Sequence, residues 1–487
     1  MCNTIPSPHL PLRILQVGTW DIAGGAEKVA WNLFQAYRER GCDSWLAVGS
    51  KRSPDSGVLT IPNDNRLNLW SQMCSALGGR LEAFEDKLRG VWRARAWLDA
   101  WKNPYRVVHR RLGIEDFNYP GTYELLTLPP LRPDILHCHN LHRDYFDLRA
   151  LPWLSRQVPV ILTLHDPWLL SGHCAYSFDC ERWKTGCGTC PDLTIYPAIR
   201  RDATAFNWRR KQEVYTKSRL FVATPSRWLM DRVHESMLAP AIIEARVIPN
   251  AIDLSTFHAC DKGGARATLG IPQDAKVLLF TANGIRRNIR KDYQTMRTAF
   301  AQVAERMQGQ SLLFIALGED APMERIGRAE VHFVPYQKDP EAVARYCQAA
   351  DVYIHAARVE VWGLTITEAL ACGTPVVATA VGGIPEQVKG LEASDCRLRS
   401  VDLNAYGIQE ATGILVPPGD SQEMAKGIER LLSDDSLRLH MGENAAKDAR
   451  KRFDLNRQVD EYLTWYEELL RGALDHPARL DVHHRTH

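Results

Sequence analysis

From Arg13 onward the chain alternates short, almost wholly apolar runs with longer stretches in which apolar residues return every third or fourth position. RILQVG is the first run, TWDIAGG a loop, AEKVAWNLFQAYRERG an amphipathic stretch closed by Gly41, and DSWLAVG the second run. Apolar runs bounded by turn residues predict strands buried on both faces, and the helical period between them predicts a helix. Together they predict a βαβ opening with its glycines at the helix N-terminus. PDILHCHN and PVILTLHD read as two more strands, each ending in histidine, and LFVATPS and ARVIPNAID follow. From AKVLLFTANG the pattern restarts, with SLLFIALGED, EVHFVP, DVYIHAA and PVVATAVGG as strands between helical stretches such as YQTMRTAFAQVAER and PEAVARYCQAA. Two successive sets of parallel-sheet units predict an α/β chain.

The junction falls in VIPNAIDLSTF, Val247 to Phe257, where a strand ends in Pro, Asn and Asp. The expected division is 1–252 and 253–454, followed by a last helix, 455–475, and a polar tail, 476–487. A length of 487 residues agrees, since it exceeds what one ordinary core organises.

Charge narrows the function classes. Lys and Arg number 60 against 58 Asp and Glu, so no global field argues for nucleic acid. The N-terminus MCNTIPSPHLPLR has no apolar core of a signal peptide, and no run has the length of a membrane span, so a cytoplasmic location is expected. In that compartment most of the 12 cysteines should be reduced, and Cys42, Cys138 and Cys372 read as buried free thiols. GTWDIAGGAEK lacks the G-x-G-x-x-G spacing, which disfavours a dinucleotide cofactor.

The densest chemistry lies in ARVEVWGLTITEALACGTPVVAT, which sets Glu360 and Glu368 around a Trp-Gly at the end of one strand and the start of one helix. Open α/β sheets bind ligands at this end of their strands. The backbone N–H groups of Gly363, Leu364 and Thr365 would open the helix and suit a phosphate. Carboxylates accept hydrogen bonds from sugar hydroxyls, so the pair could hold a ribose diol and a hexose. The NGIRRNIRKDY loop supplies Arg286, Arg287, Arg290 and Lys291 for a diphosphate. By themselves the glutamates could equally be acids decorating a helix N-terminus, which the dipole favours.

EVWGLTITEALACGTPVVATAVGGIPEQV resembles the donor-site signature of the retaining, GT-B fold glycosyltransferases of family 4. The resemblance extends to TPSRW, VIPNAID, FVPYQKDPEAVARYCQAADVYIHAA and TGILVPPGDSQEMAKGIERLL. It implies two Rossmann-like domains facing across a cleft, an N-terminal one for the acceptor and a C-terminal one for a nucleotide-diphosphate sugar, with the last helix crossing back to the N-terminal domain. It implies that Glu368 binds the ribose, that Glu360 lies near the donor sugar, and that Lys291 meets the diphosphate with Arg286 or Arg290. Asp292 stands where the family usually has glycine. Gly24 and Gly25 would approach the donor, and His165, after LTLHDPW, matches the cleft histidine beside the reacting sugar. The implied catalytic set is thus His165, Glu360 and Lys291, with no cofactor or metal required, as the lack of a D-x-D motif agrees. His137 and His139, by contrast, read as hydrogen-bonded core histidines. An epimerase or hydrolase of nucleotide sugars, or a non-catalytic scaffold of the same fold, is the alternative.

YPGTYELLTLPPLRPDILHCHNLHRDYFDL and the stretch from ILTLHDPW to GCGTCP look like transferases of bacterial exopolysaccharide assembly of the colanic-acid type. That likeness implies a glycan or lipid-linked acceptor at the inner membrane face. Segment 83–113 interleaves Trp92, Trp97 and Trp101 with Arg and Lys and is a candidate anionic-lipid surface, or else a helix packed on the N-terminal domain. Finally, GHCAYSFDCERWKTGCGTCP gathers Cys174, Cys180, Cys187 and Cys190 in one loop, with a Cys-x-x-Cys end that suits a structural zinc; free thiols packed in a rigid loop are the alternative, and disulfides a further one that a cytoplasmic location works against.

Overall fold

In a computed structural model, residues 11–63, 73, 77, 104–327, 329–392 and 405–475 are described. Two compact units divide the chain, each built on a sheet of seven strands.

The first unit carries β1 (Arg13–Trp20), β2 (Asp43–Ser50), β3 (Val58–Thr60), β4 (Ile135–His139), β5 (Val160–Thr163), β6 (Leu220–Thr224) and β7 (Ile242–Val247). They lie in the order β3-β2-β1-β4-β5-β6-β7. β1 pairs in parallel with β2 on one side and β4 on the other, Ile14 opposite Ser44 and Ile135. Helix Gly25–Glu39 follows β1 and turns Val29, Leu33, Phe34 and Tyr37 inward, and Gly41 ends it at a φ of +80°. That left-handed conformation is one glycine adopts without strain.

The second unit carries β8 (Lys276–Thr281), β9 (Leu312–Leu317), β10 (Glu324–Ile326), β11 (Ala329–Val334), β12 (Val352–His355), β13 (Val376–Thr379) and β14 (Gly413–Val416). Their order is β10-β11-β9-β8-β12-β13-β14, with only the edge pair β10–β11 antiparallel among the described residues. LLFIAL of β9 is buried throughout, as the unbroken apolar run requires of a strand covered on both faces. The exceptions to the expected list are edges: β3, β10 and β14 are short strands that the apolar pattern does not mark.

The division departs from the expected one. The second unit begins at Val247, takes in Pro225–Leu229, and keeps the last helix as far as Tyr462; only from Leu463 does the chain rejoin the first unit. Local bonding explains the shift from 252. Ile252 pairs with Asp454, Ala251 N–H donates to Gln458, and Ile252 and Phe257 sit in the core of the second unit. Helix Leu455–Asp475 therefore serves both units, its first half in one and its second half in the other. The tail 476–487 and the tryptophans of segment 83–113 lie outside the described residues.

Candidate functional site

In the second unit the strand order reverses between β8 and β12, and a crevice at such a switch point is the usual ligand site of an open sheet. The loops that leave those two strands carry the basic cluster and Glu360. They are tied to each other by backbone: Lys291 forms an antiparallel bridge with Ala357, Asp292 N–H donates to Ala356 at 3.0 Å, and Arg358 N–H donates to Arg290 at 2.9 Å. Asp292 has its own task, since its carboxylate caps helix Tyr293–Arg306 by accepting from Thr295 N–H at 3.1 Å and from the Thr295 hydroxyl at 2.7 Å. An acid at this position fixes the helix start directly behind Lys291.

Lys291 Nζ is thereby held between the Glu360 carboxylate and His355 Nε2, the latter at 2.9 Å. An ammonium only donates, so His355 Nε2 accepts and Nδ1 carries the ring proton, buried with no partner. Burial pushes the Glu360 carboxyl up, but the Lys291 ammonium outweighs it and holds the group well below its usual range. Burial, with Lys291 adding to it, brings His355 down to about 4. The charged state at neutral pH is an ammonium–carboxylate pair beside a neutral imidazole.

Close backbone approach sets the Glu360 loop. Gly383 N–H donates to the Glu360 carbonyl at 3.0 Å, and a Cβ on Gly382, at a φ of +58°, would stand 1.8 Å from that same oxygen. The Gly-Gly of AVGGIPE is required there. Helix Leu364–Ala371 starts after Gly363, whose N–H is taken by Gln387 Oε1 at 2.9 Å. The expectation that Gly363 offers a phosphate donor is thus corrected: a side chain from the neighbouring loop satisfies it, leaving the first-turn N–H groups of Leu364 and Thr365, which helix geometry leaves without an intrahelical acceptor. Thr365 Oγ1 accepts from Tyr353 at 2.8 Å, and Glu368 is buried one turn further on. Arg286 is engaged by Glu319 through both its backbone N–H and its guanidinium, and Arg290 reaches the Asn288 side chain at 3.3 Å.

In the first unit the switch point lies between β1 and β4. β5 ends at Thr163, so His165 stands in the loop beyond it, where its Nε2 lies 3.0 Å from His139 Nδ1 with the rings stacked. His139 Nε2 meets Gln16 Oε1 at 2.9 Å. With that carbonyl as acceptor, His139 donates from Nε2 and accepts at Nδ1, so His165 donates from Nε2 and its Nδ1 lone pair is left to face outward from the relay. His137 is the expected core histidine, 2.6 Å from Thr163 Oγ1 and 2.7 Å from the Tyr466 hydroxyl of the last helix. Burial lowers all three, His165 to about 4 and His137 to about 3. Gly24 precedes helix Gly25–Glu39 and its N–H is bound by Glu27 at 3.1 Å.

Four participants are not legible in the sequence pattern. His355, at the end of a strand read only for its apolar residues, completes the Lys291–Glu360 cluster; Gln387 and Glu319 occupy groups expected to be open; Gln16 orients His139. A histidine directly at a strand's C-terminal end was the signal for the first. The others are polar residues whose partners are distant in sequence. Of the basic segment, Arg106 pairs with Asp116 at 2.8 Å and Arg110 with Asp144 at 2.7 Å, within the same unit. No helix among the described residues is long and apolar enough to cross a membrane. Cys174, Cys180, Cys187 and Cys190 line one small cavity, although among the described residues no three His, Cys, Asp or Glu stand ready to hold a metal ion as placed.

Residues 261–448 match the family described as Glycosyl transferases group 1, and residues 23–256 match Glycosyltransferase Family 4. The chain belongs to these group 1, family 4 glycosyltransferases, and its fold is GT-B. It is similar to WcaC of Escherichia coli K12, assigned to colanic acid biosynthesis as a glycosyl transferase, with 29% identity over 51% of this chain and 60% of that protein. A D-inositol 3-phosphate glycosyltransferase of Corynebacterium jeikeium is 28% identical over 74% of this chain and 84% of its own. Against the first three curated relatives the match spans 60%, 47% and 50% of their length. Among solved structures, sucrose-phosphate synthase from Thermosynechococcus elongatus superposes with a TM-score of 0.57 at 18% identity, covering 95% of this chain and all of that one. HepE of Anabaena, in complex with UDP and glucose, does so with 0.54 at 17%, covering 93% and 99%.

Proposed function

We propose that this chain moves a sugar from a nucleotide-diphosphate donor to a glycan acceptor with retention of configuration. The observation that carries the reading is the Lys291–Glu360–His355 cluster at the switch point of the second unit, with helix Leu364–Ala371 opening shortly after Glu360 in the same loop. Lys291 and one arginine, Arg286 or Arg290, face the diphosphate and stabilise the charge that grows on it as the glycosidic bond breaks. Either arginine must leave its present partner, Glu319 or Asn288, to do so. Glu360 accepts from hydroxyls of the donor sugar while its charge keeps Lys291 oriented, and Glu368 accepts from the ribose. His165, held by His139, presents an acceptor nitrogen to a sugar hydroxyl. The solved HepE complex with UDP and glucose supports a nucleotide-sugar donor.

The acceptor is read as a glycan, lipid-linked, of a bacterial surface or exopolysaccharide, and the site of action as the cytoplasmic face of the membrane; the likeness to WcaC, named for colanic acid biosynthesis, supports the polysaccharide part of this reading. The donor experiment is thermal stabilisation by UDP-, GDP-, ADP- and dTDP-sugars, because a ligand that binds only the folded chain raises the melting temperature. One base class should raise it by several degrees and give a product whose anomeric proton, read by NMR, keeps the donor's configuration. A flat response to all four bases defeats the donor site, and an inverted product defeats retention.

A further inference from the structure

Residues 171–203 form an excursion that carries only the short turn Arg182–Lys184 as regular structure. Irregular stretches of that length in a compact domain need something to hold them. Part of the hold comes from outside. The buried Lys211 ammonium donates to Ser171 O at 3.0 Å, and Trp208 Nε1 donates to Trp183 O at 2.8 Å. Inside, the turn that delivers Cys187 and Cys190 is unusual: Gly186, Cys187, Gly188 and Thr189 all have positive φ, at 133°, 54°, 90° and 47°. Cys187 and Thr189 are strained in that region, so the surroundings must impose it. Arg182 pins the turn from one side by donating to Gly188 O at 3.0 Å and Thr189 O at 2.7 Å.

What the turn achieves is to aim sulfur inward. Cys174, Cys180, Cys187 and Cys190 line one cavity of about 20 Å³ together with His173, which is room for a single water-sized occupant. Gly172 N–H already donates to Cys187 Sγ at 3.3 Å, the backbone support a bound thiolate requires. His173 Nδ1 lies 3.1 Å from Pro197 O. A carbonyl only accepts, so Nδ1 carries the proton and the Nε2 lone pair faces Cys190 Sγ, 3.4 Å away. Two donors sharing a tetrahedral zinc, at Zn–N about 2.0 Å and Zn–S about 2.3 Å, stand about 3.5 Å apart. An imidazole fixed by a carbonyl at one nitrogen, with the other turned to the cavity, is the arrangement of a metal-bound histidine.

We propose that this cavity holds one structural zinc-class ion on a sulfur-rich set of four drawn from His173, Cys174, Cys180, Cys187 and Cys190. Closing the set takes rotation of thiols about χ1, since no three donors stand at ligand positions as placed. Binding releases the thiol protons to solvent and involves no redox step. The ion is separate from the Lys291 cluster in the other unit, so donor binding and metal content are independent readouts.

The test is elemental analysis of the full chain purified without added metal or a histidine tag, with released zinc titrated by a chelating dye after thiol modification. About one zinc per chain is expected. Cys187→Ser and Cys190→Ser together should abolish it, while Cys347→Ser, a buried thiol of the other unit, leaves it intact. X-ray absorption should show sulfur as the majority ligand. Substantially less than one zinc with four freely titrating thiols, two disulfides by intact mass, or zinc retained in the double variant would each overturn the proposal, and the first two need no variant to fold.

Discussion

His165 Nε2 and His139 Nδ1 stand 3.0 Å apart, and neither ring is charged in this arrangement, since burial lowers both. A group whose folded pKa lies below its unfolded value contributes stability that is complete above the unfolded pKa and is lost as the pH falls. For His165, His137 and His355 the window runs from the usual 6.5 down to about 4 or about 3, and burial gives His139 the same sign. The depressed Glu360 carboxyl has the same sign, with its loss starting below 4.5. Stability from urea unfolding should therefore fall from pH 7 to pH 5, by about 2 kcal/mol for each imidazole brought from 6.5 to about 4 or below. A midpoint that is flat over that range contradicts the neutral relay.

Lys291→Met leaves Glu360 largely buried without its cation, at 18% side-chain exposure. Breaking one side of such a pair costs about 3 kcal/mol, whereas replacing both sides costs much less. Lys291→Met should be clearly less stable in denaturant than Lys291→Met/Glu360→Gln. Equal stabilities would mean the pair is not coupled in the folded chain.

The two glutamates should separate in kinetics. With Glu368 accepting from the ribose as proposed, Glu368→Ala should weaken free-nucleotide binding by about 1.5–3 kcal/mol. Glu360→Ala should chiefly lower kcat. Calorimetry and initial rates decide between these assignments, and unchanged turnover in folded forms of both variants removes the pair from the donor site.

Gly382→Ala adds one carbon that meets the Glu360 carbonyl at 1.8 Å and asks alanine to adopt a φ of +58°. The loop must shift, so this variant should lose about 2 kcal/mol or more of stability and with it donor-induced thermal stabilisation. Gly407→Ala, with open space around it, should do neither.

Lys211 is fully buried, 3.0 Å from Glu115 and with its Nζ 3.6 Å from the Trp168 ring centroid. Lys211→Met should cost about 3–5 kcal/mol by stranding the Glu115 carboxylate, and adding Glu115→Gln should recover part of it. Chemical denaturation of the three proteins measures the coupling.

Periodicity carried the long central strands and their order along the chain because burial on both faces leaves an unbroken apolar run, as in LLFIAL. It did not mark the edge strands Val58–Thr60, Glu324–Ile326 and Gly413–Val416, which are too short to leave a run of their own. The Glu360 and Lys291 positions were legible from residue type and from the family signature. That Lys291 bridges Glu360 and His355 was not, because the contact depends on pairing between residues 291 and 357, far apart in sequence. Similarly, Gly363 looked open from its place at a helix start, and only the fold brings Gln387 to it.

The shared last helix sets a limit on dissection. A fragment ending at Arg246 would lack Trp465 and Tyr466, and with them the hydroxyl that bonds both His137 and Tyr37. The first unit is therefore discontinuous in the gene: its opening strands are translated hundreds of residues before the segment that seals them. Until the ribosome has released that segment the nascent chain exposes a slot shaped for a single aromatic-rich helix, and a C-terminally truncated product should present the same slot to chaperones.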